Sequence, residues 1–206
     1  MIDRLAEVSG RPVSRETFGK LEAYVDLLVA ANEQQNLIAA STVDDVWDRH
    51  IADSAQLVRF APSDKSSWID IGSGAGLPGI VIALLTQGHI TLVEPRRLRV
   101  EFLSQAIDQL DLAGRVRIIH GKADKAAGKY DVITARAVAS TDRLLAMTLH
   151  LSHRGTVWLL PKGKSGNSEL AEVERTWQGA FRAEVSLTDP QAVILVASGV
   201  HVKGRR

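Results

Sequence analysis

The sequence predicts an α/β fold: a mostly parallel sheet with helices on both faces, preceded by an N-terminal helical cap. Three observations carry this prediction. From Trp68 onward, short apolar segments of strand length alternate with segments of helical periodicity, the pattern of strands joined by crossover helices. A glycine-rich stretch from Asp70 to Gly79 joins the first of these strands to the first helix, where open parallel sheets bind their ligands. The residues before Trp68 show helical spacing only.

Taken in order, Ser14 can cap a helix in which Phe18, Leu21, Val25, Leu28 and Val29 recur on one face. A second helix is predicted over 43–60, with Val46, Trp47, Ile51, Ala55 and Val58 on one side. The polar, turn-like residues 62–67 close this cap. Trp68-Ile69-Asp70-Ile71 is the first strand, and a helix starts at about Pro78, whose missing N–H suits a first turn. Residues 90–93 form a second strand, followed by a helix over 98–110. Further strands are predicted over 116–119, 131–135, 156–160 and 192–197, with helices over 141–151 and 168–177. The organisation is one domain over 1–206, with the cap over 1–61 and the α/β core over 67–206.

The chain has 206 residues, enough for one well-buried domain. It contains no cysteine, which excludes disulfides, thiolate metal sites and cysteine nucleophiles. The first residues, 1–8, are charged and lack an apolar signal core, and the longest apolar runs, 80–85 and 192–197, are too short to cross a bilayer. A cytoplasmic, monomeric protein with no metal and no membrane partner is expected. The net charge of +1 does not mark an RNA-wrapping chain. Local clusters do exist: Arg96, Arg97 and Arg99, then Lys162 and Lys164, then Lys203-Gly204-Arg205-Arg206. They are either solvated faces or phosphate contacts.

Two ligands compete for the glycine loop. Gly74, Gly76 and Gly79 satisfy the G-x-G-x-x-G pattern of a dinucleotide site, so a nicotinamide-dependent oxidoreductase is one reading. Gly72, Gly74 and Gly76, counted from Asp70, satisfy the tighter D-x-G-x-G-x-G pattern of an S-adenosylmethionine site. Glu94, ending the second strand, would hold ribose hydroxyls in either case. Asp70 favours the methyl donor, because a carboxylate there suits a ligand carrying an ammonium and a sulfonium. Asp124, just after the third strand, is suited to accepting a hydrogen bond from an adenine amino group. The structural alternative is that both aspartates cap turns. The oxidoreductase reading lacks a Tyr-x-x-x-Lys pair, since neither Tyr24 nor Tyr130 has Lys four residues on. A non-catalytic ribosome-assembly factor with a degenerate loop is a third reading, against which the intact loop argues.

Missing residues narrow the acceptor. Methylation of a pyrimidine at carbon 5 needs a cysteine, and there is none. Exocyclic-amine methylation commonly uses a polar-Pro-Pro-aromatic motif after the fourth strand, where this chain has Ala135-Arg136-Ala137-Val138-Ala139. A ring nitrogen with a free lone pair, such as guanine N7, needs neither. No catalytic acid, base or nucleophile stands out.

The sequence resembles the bacterial RsmG proteins, also called GidB, which methylate N7 of a guanosine in 16S rRNA. The resemblance runs from Asn36-Leu37 to at least Lys162-Gly163, through Arg49-His50-Ile51-Ala52-Asp53-Ser54, Asp70 to Gly79, Arg99-Val100-Glu101-Phe102-Leu103 and Thr134 to Ala139. It implies a Rossmann-like class I S-adenosylmethionine methyltransferase acting on the 30S ribosomal subunit or its precursor. Gly72 and Leu77 are then expected at the cofactor, Ala123 and Asp124 beside its adenine, Glu94 at its ribose, and Arg136 at its border. Many relatives carry Asp where Glu94 stands. Plainer roles compete for several residues: a structural ion pair for Arg136, packing for His50, and a surface pair between Arg49 and Asp53 on one helix. Trp47, Trp68, Trp158 and Trp177 are read as core residues.

Overall fold

The computed structural model describes residues 1–204. Two helices lead, α1 (Ile2–Ser9) and α2 (Arg15–Gln35). Ser14 caps α2 as expected, its hydroxyl accepting from the Thr17 N–H at 3.0 Å. Leu21, Tyr24, Val25 and Leu28 form the buried stripe. The short α1, unforeseen among charged residues, buries Leu5 and Val8.

The helix expected over 43–60 is not regular. A 3-10 turn (Ala40–Thr42) precedes a π-helical segment (Trp47–Ala52), one α turn α3 (Asp53–Ala55), and a further 3-10 segment (Gln56–Phe60). Apolar spacing decides which side of such a segment is buried, and Ile51, Ala55 and Val58 are indeed buried. It does not decide which carbonyl each N–H meets.

Beyond the cap lie β1 (Trp68–Ile71), α4 (Gly79–Leu85), β2 (Ile90–Glu94), α5 (Arg97–Gln109), β3 (Val116–His120) and β4 (Tyr130–Ala135). Then come α6 (Thr141–Thr148), β5 (Ser152–Lys162), α7 (Gly166–Thr176), β6 (Trp177–Val185) and β7 (Val193–Val202). Pro78 precedes the first turn of α4 instead of starting it. Trp177 opens a strand instead of ending a helix.

The seven strands lie in the order β3-β2-β1-β4-β5-β7-β6. The first five are mutually parallel, β7 runs antiparallel to β5, and β6 pairs antiparallel with β7. The sheet is therefore mostly parallel, as expected, but closes on a reversed hairpin. Strand β6 was missed because it is an edge: Gln178, Arg182 and Glu184 break the apolar pattern, as edge strands often do.

Each face of the sheet carries one apolar cluster. On one side Trp68, Leu92 and Val132 pack with α4, α5 and the cap, including Leu5, Leu21 and Leu28. On the other, Ile69, Ile133 and Trp158 pack with Leu144, Leu145 and Val173 of α6 and α7. The cap thus shares its core with the α/β layer. Trp68, Trp158 and Trp177 are buried, as expected; Trp47 is half-buried and stacks on Phe18 with centroids 5.5 Å apart. Among the described residues, no helix is long and apolar enough to cross a membrane, and no cluster of side chains could hold a metal ion.

Candidate functional site

Strand order reverses between β1 and β4, the switch point at which open α/β sheets form a crevice. The register sets Ile71 beside both Val93 and Ala135. The segments leaving these strands therefore converge: the glycine loop, the turn after Glu94, and residues 136–140.

The glycine loop is pinned to β2. Gly72 and Ser73 N–H both donate to the Val93 carbonyl, at 2.8 and 3.1 Å. Glu94 is buried; one carboxylate oxygen accepts from Gly74 N–H at 2.8 Å, the other from Arg96 N–H at 2.9 Å. Gly74 has φ +58, a conformation that favours glycine, and a Cβ there would meet nothing nearer than the Arg99 guanidinium at 3.5 Å. This position faces the crevice. A Cβ on Gly76 would lie 2.5 Å from Ile80 Cγ1, and one on Gly79 would lie 2.2 Å from Leu92 Cδ2. Close packing requires both glycines whatever the ligand, Gly76 against α4 and α5 and Gly79 against the sheet, which weakens the dinucleotide pattern that relied on them. Gly72 lies beneath Val138, whose Cγ2 is 2.7 Å from the position its Cβ would take.

Asp70 combines both readings of the sequence. It is 1% exposed, and Oδ2 accepts from the first N–H of α4, that of Gly79, at 3.1 Å, so it does cap a turn. Oδ1 is buried with no hydrogen-bond partner among the described residues. Burial is the main influence on this carboxyl and pushes its pKa up to about 7. An orphaned buried carboxylate oxygen is costly. A cationic donor such as an ammonium group would relieve it, so the donor set fits S-adenosylmethionine.

Tyr24 supports the loop from below and escaped the sequence reading. Fully buried on α2, its hydroxyl donates to the Ala75 carbonyl at 2.7 Å. Burial raises its pKa above the ordinary value, which keeps it a donor. Nothing in a helical apolar stripe distinguishes such a tyrosine from plain core.

The remaining expected cofactor residues divide by exposure. Leu77 and Ala123 are buried in the core, so only their backbones are open to a ligand. Asp124 lies in a short 3-10 turn after β3, exposed and with no hydrogen bond among the described residues. The turn-capping reading does not account for it. Register places Glu94 opposite His120 at the end of β3, so Asp124, Glu94 and the glycine loop follow one another along the carboxyl edge.

Arg136 sits on the other side of the crevice. Its Nη1 donates to Asp53 Oδ2 at 3.4 Å and its Nη2 to His50 Nδ1 at 3.3 Å. Arginine only donates, so His50 accepts at Nδ1 and carries its proton on Nε2. That proton is donated to Thr42 Oγ1 at 2.7 Å, and Thr42 in turn donates to the Ala39 carbonyl at 2.8 Å. Burial, then the charges of Arg136 and Arg49, lower the His50 pKa to about 4 and keep the ring neutral. Asp53 Oδ1 accepts from Gln56 Nε2 at 2.9 Å and from Thr188 Oγ1 at 3.0 Å. The alternative of a surface pair between Arg49 and Asp53 does not hold: Arg49 binds Asp189 at 3.0 Å and Asp53 binds Arg136, the two side chains leaving the π-helical segment toward different partners. Gln56, Thr42 and Thr188 carried no sequence signal. After Arg136, Ala137 adopts φ +56, a strain of about 1–2 kcal/mol for an L-residue.

A cavity of about 660 Å³ opens here, between the π-helical segment, residues 136–140 and the β6–β7 turn. None of the glycine-loop residues lines it; Arg136 is the one expected cofactor residue that does. The basic clusters are partly engaged elsewhere. Lys162 Nζ donates to the Ala139 carbonyl and to Glu169, both at 2.9 Å, and is no free phosphate ligand. Burial tends to raise the Glu169 carboxyl, but hydrogen bonds from Lys162 and Thr141 hold it below its ordinary range. Arg97 pairs with Glu101, whereas Arg96 and Lys164 are exposed without ion-pair partners among the described residues. Lys203 donates to the Glu174 carbonyl, and Arg205 and Arg206 lie outside the described residues.

The family model GidB, described as rRNA small subunit methyltransferase G, matches residues 17–191. A protein of Zymomonas mobilis named ribosomal RNA small subunit methyltransferase G is 46% identical, over 94% of this chain and 91% of that protein. One of the same name from Rhizorhabdus wittichii is 47% identical, over 97% and 93%. Among solved structures, TYW2 of P. horikoshii in complex with MeSAdo superposes with a TM-score of 0.58 at 13% identity, over 74% of this chain and 62% of that one. That likeness is one of fold, the Rossmann-like fold of class I methyltransferases.

Proposed function

We propose, on the premise that this chain belongs to the GidB family of rRNA small subunit methyltransferases, that it uses S-adenosylmethionine to methylate N7 of a guanosine in 16S rRNA. The chain is an enzyme, a methyltransferase of small-subunit rRNA. Donor, acceptor atom and site residues are the inferred part. The observation that supports the donor is the buried Asp70, with one oxygen unpaired among the described residues under a glycine loop at the switch point; the acceptor atom rests on the family and on N7 needing neither a cysteine nor an amine-binding motif. The partner is the 30S subunit or its precursor, met in the cytoplasm.

S-adenosylmethionine, when bound, supplies a methyl carbon made electrophilic by a sulfonium. Asp70 Oδ1 would hold the ammonium group, and the backbone of Gly72, Gly74, Gly76 and Leu77 would cradle the ligand. Glu94 retains lone pairs for ribose hydroxyls beyond those given to Gly74 and Arg96. Asp124, with Ala123 beside it, would accept from the adenine amino group. Guanine N7 carries its own lone pair, so no base has to remove a proton. The chain's contribution is alignment, which can supply about 7–11 kcal/mol.

The test is transfer of radiolabelled methyl groups from S-adenosylmethionine to 30S subunits from cells lacking this gene, with the product nucleoside identified. We expect label as 7-methylguanosine in 16S rRNA. Label in any other nucleoside, or none despite cofactor binding, would overturn the acceptor.

A further inference from the structure

The cavity beside Arg136 is lined by none of the glycine-loop residues, and its charges are arranged unusually. Three cations line it, Arg49, Arg136 and Lys162, and each is paired with a carboxylate that also lines it: Asp189, Asp53 and Glu169, at 3.0, 3.4 and 2.9 Å. The lining histidine, His50, is neutral. Such a cavity offers hydrogen bonds without net charge. It does not suit a phosphate, which seeks unpaired cations, but it does suit an uncharged polar heterocycle. Its size is within the range of small-molecule sites and exceeds what one base requires.

We propose that this cavity receives the acceptor guanine, extruded from its strand, and that Asp53 is the positioning residue that aims Arg136 at it. The proposal rests on the acceptor given above. Enzymes that modify a base inside structured nucleic acid take it out of the stack into such a pocket. Guanine presents two acceptors on one edge, N7 and O6. N7 must stay open toward the methyl group, which leaves O6 for the free donors of the Arg136 fork.

The balance of the reaction explains the paired charges. The N7 lone pair forms the new C–N bond, the electrons of the broken S–C bond stay on sulfur, and no proton moves. Positive charge therefore appears on the guanine ring. An unpaired arginine at O6 would oppose that charge, whereas Asp53 against Arg136 offsets it. Asp53 is itself fixed from behind by Gln56 and by Thr188 of the β6–β7 turn. The cap and the reversed hairpin thus meet on the residue that steers Arg136.

Three variants of the full chain test this with 30S particles lacking the modification. Asp53→Asn keeps an acceptor for Thr188 but removes the charge. Asp53→Glu restores the charge. Ser140→Trp fills the cavity from an exposed lining position whose hydroxyl makes no hydrogen bond among the described residues. We expect Asp53→Asn to bind S-adenosylmethionine normally by calorimetry and to lose about 100-fold in kcat with little change in KM for the particle. Asp53→Glu should recover part of that loss. Ser140→Trp should bind the cofactor and melt like wild type, yet transfer no methyl group. Wild-type kcat in Asp53→Asn and Ser140→Trp would overturn the site, and so would loss of cofactor binding in Ser140→Trp. If Asp53→Asn misfolds, Ser140→Trp alone decides. A wild-type enzyme that makes no 7-methylguanosine sinks the acceptor and this site together, while normal wild-type product with indifferent variants sinks the site alone.

Discussion

Asp70 divides its two oxygens between structure and ligand. Oδ2 holds the start of α4, and Oδ1 is left buried and unpaired among the described residues. Because burial raises its pKa from 3.8 to about 7, the folded protein holds a proton there that the unfolded chain releases. Its contribution to stability is full below the unfolded value and is lost as pH rises through about 7. A cationic ligand reverses the preference, since only the ionised carboxylate attracts an ammonium. Affinity for S-adenosylmethionine should therefore strengthen as pH rises through about 7, with proton release on binding. Calorimetry across that range checks this, with Asp70→Asn expected to bind weakly and without the pH dependence. A wild-type affinity flat in pH would separate Asp70 from the ammonium. The sequence singled out the carboxylate as suited to a cationic ligand; its orphaned oxygen was not legible there, because satisfaction depends on neighbours that only folding assembles.

Helix α2 reaches the site through one hydrogen bond, from Tyr24 to the Ala75 carbonyl. Tyr24→Phe keeps the packing and leaves that carbonyl unmet, a loss of about 1–3 kcal/mol. We expect lower thermal stability together with weaker cofactor binding, because the loop would lose its support from below. Lower stability with unchanged affinity would limit the cap to a structural role. At this scale the elements were legible where periodicity was strong: α2 from its cap, and β1 to β5 with the helices between them. The π-helical segment and β6 were not. The first depends on backbone partners, which side-chain spacing does not report, and the second is a polar edge whose pairing is decided by β7.

Across the whole molecule, charge is nearly balanced overall, +1 in sum, and paired within the cavity. Affinity for the ribosomal particle should then depend on salt only moderately. If Arg96, Arg97 and Lys164 each meet a phosphate, the slope of log affinity against log salt is at most about 0.9 per contact on duplex and about 0.7 on single strands. Binding to 30S subunits measured over a salt series checks this. A flat curve would remove these residues from the interface, and a slope well above three contacts would bring in other cations.

The sequence by itself determined the α/β class and the family, and it singled out the glycine loop together with Asp70, Glu94 and Asp124. These are local patterns, written in spacing along the chain. Only the tertiary structure decided that Gly76 and Gly79 serve packing, that Arg49 and Asp53 go separate ways, and that Lys162 is spent on Glu169. It also brought His50, Asp53 and Thr188 to Arg136, across separations of 86, 83 and, between Asp53 and Thr188, 135 residues. Contacts at that range depend on strand order and on the reversed hairpin, and spacing along the chain records neither.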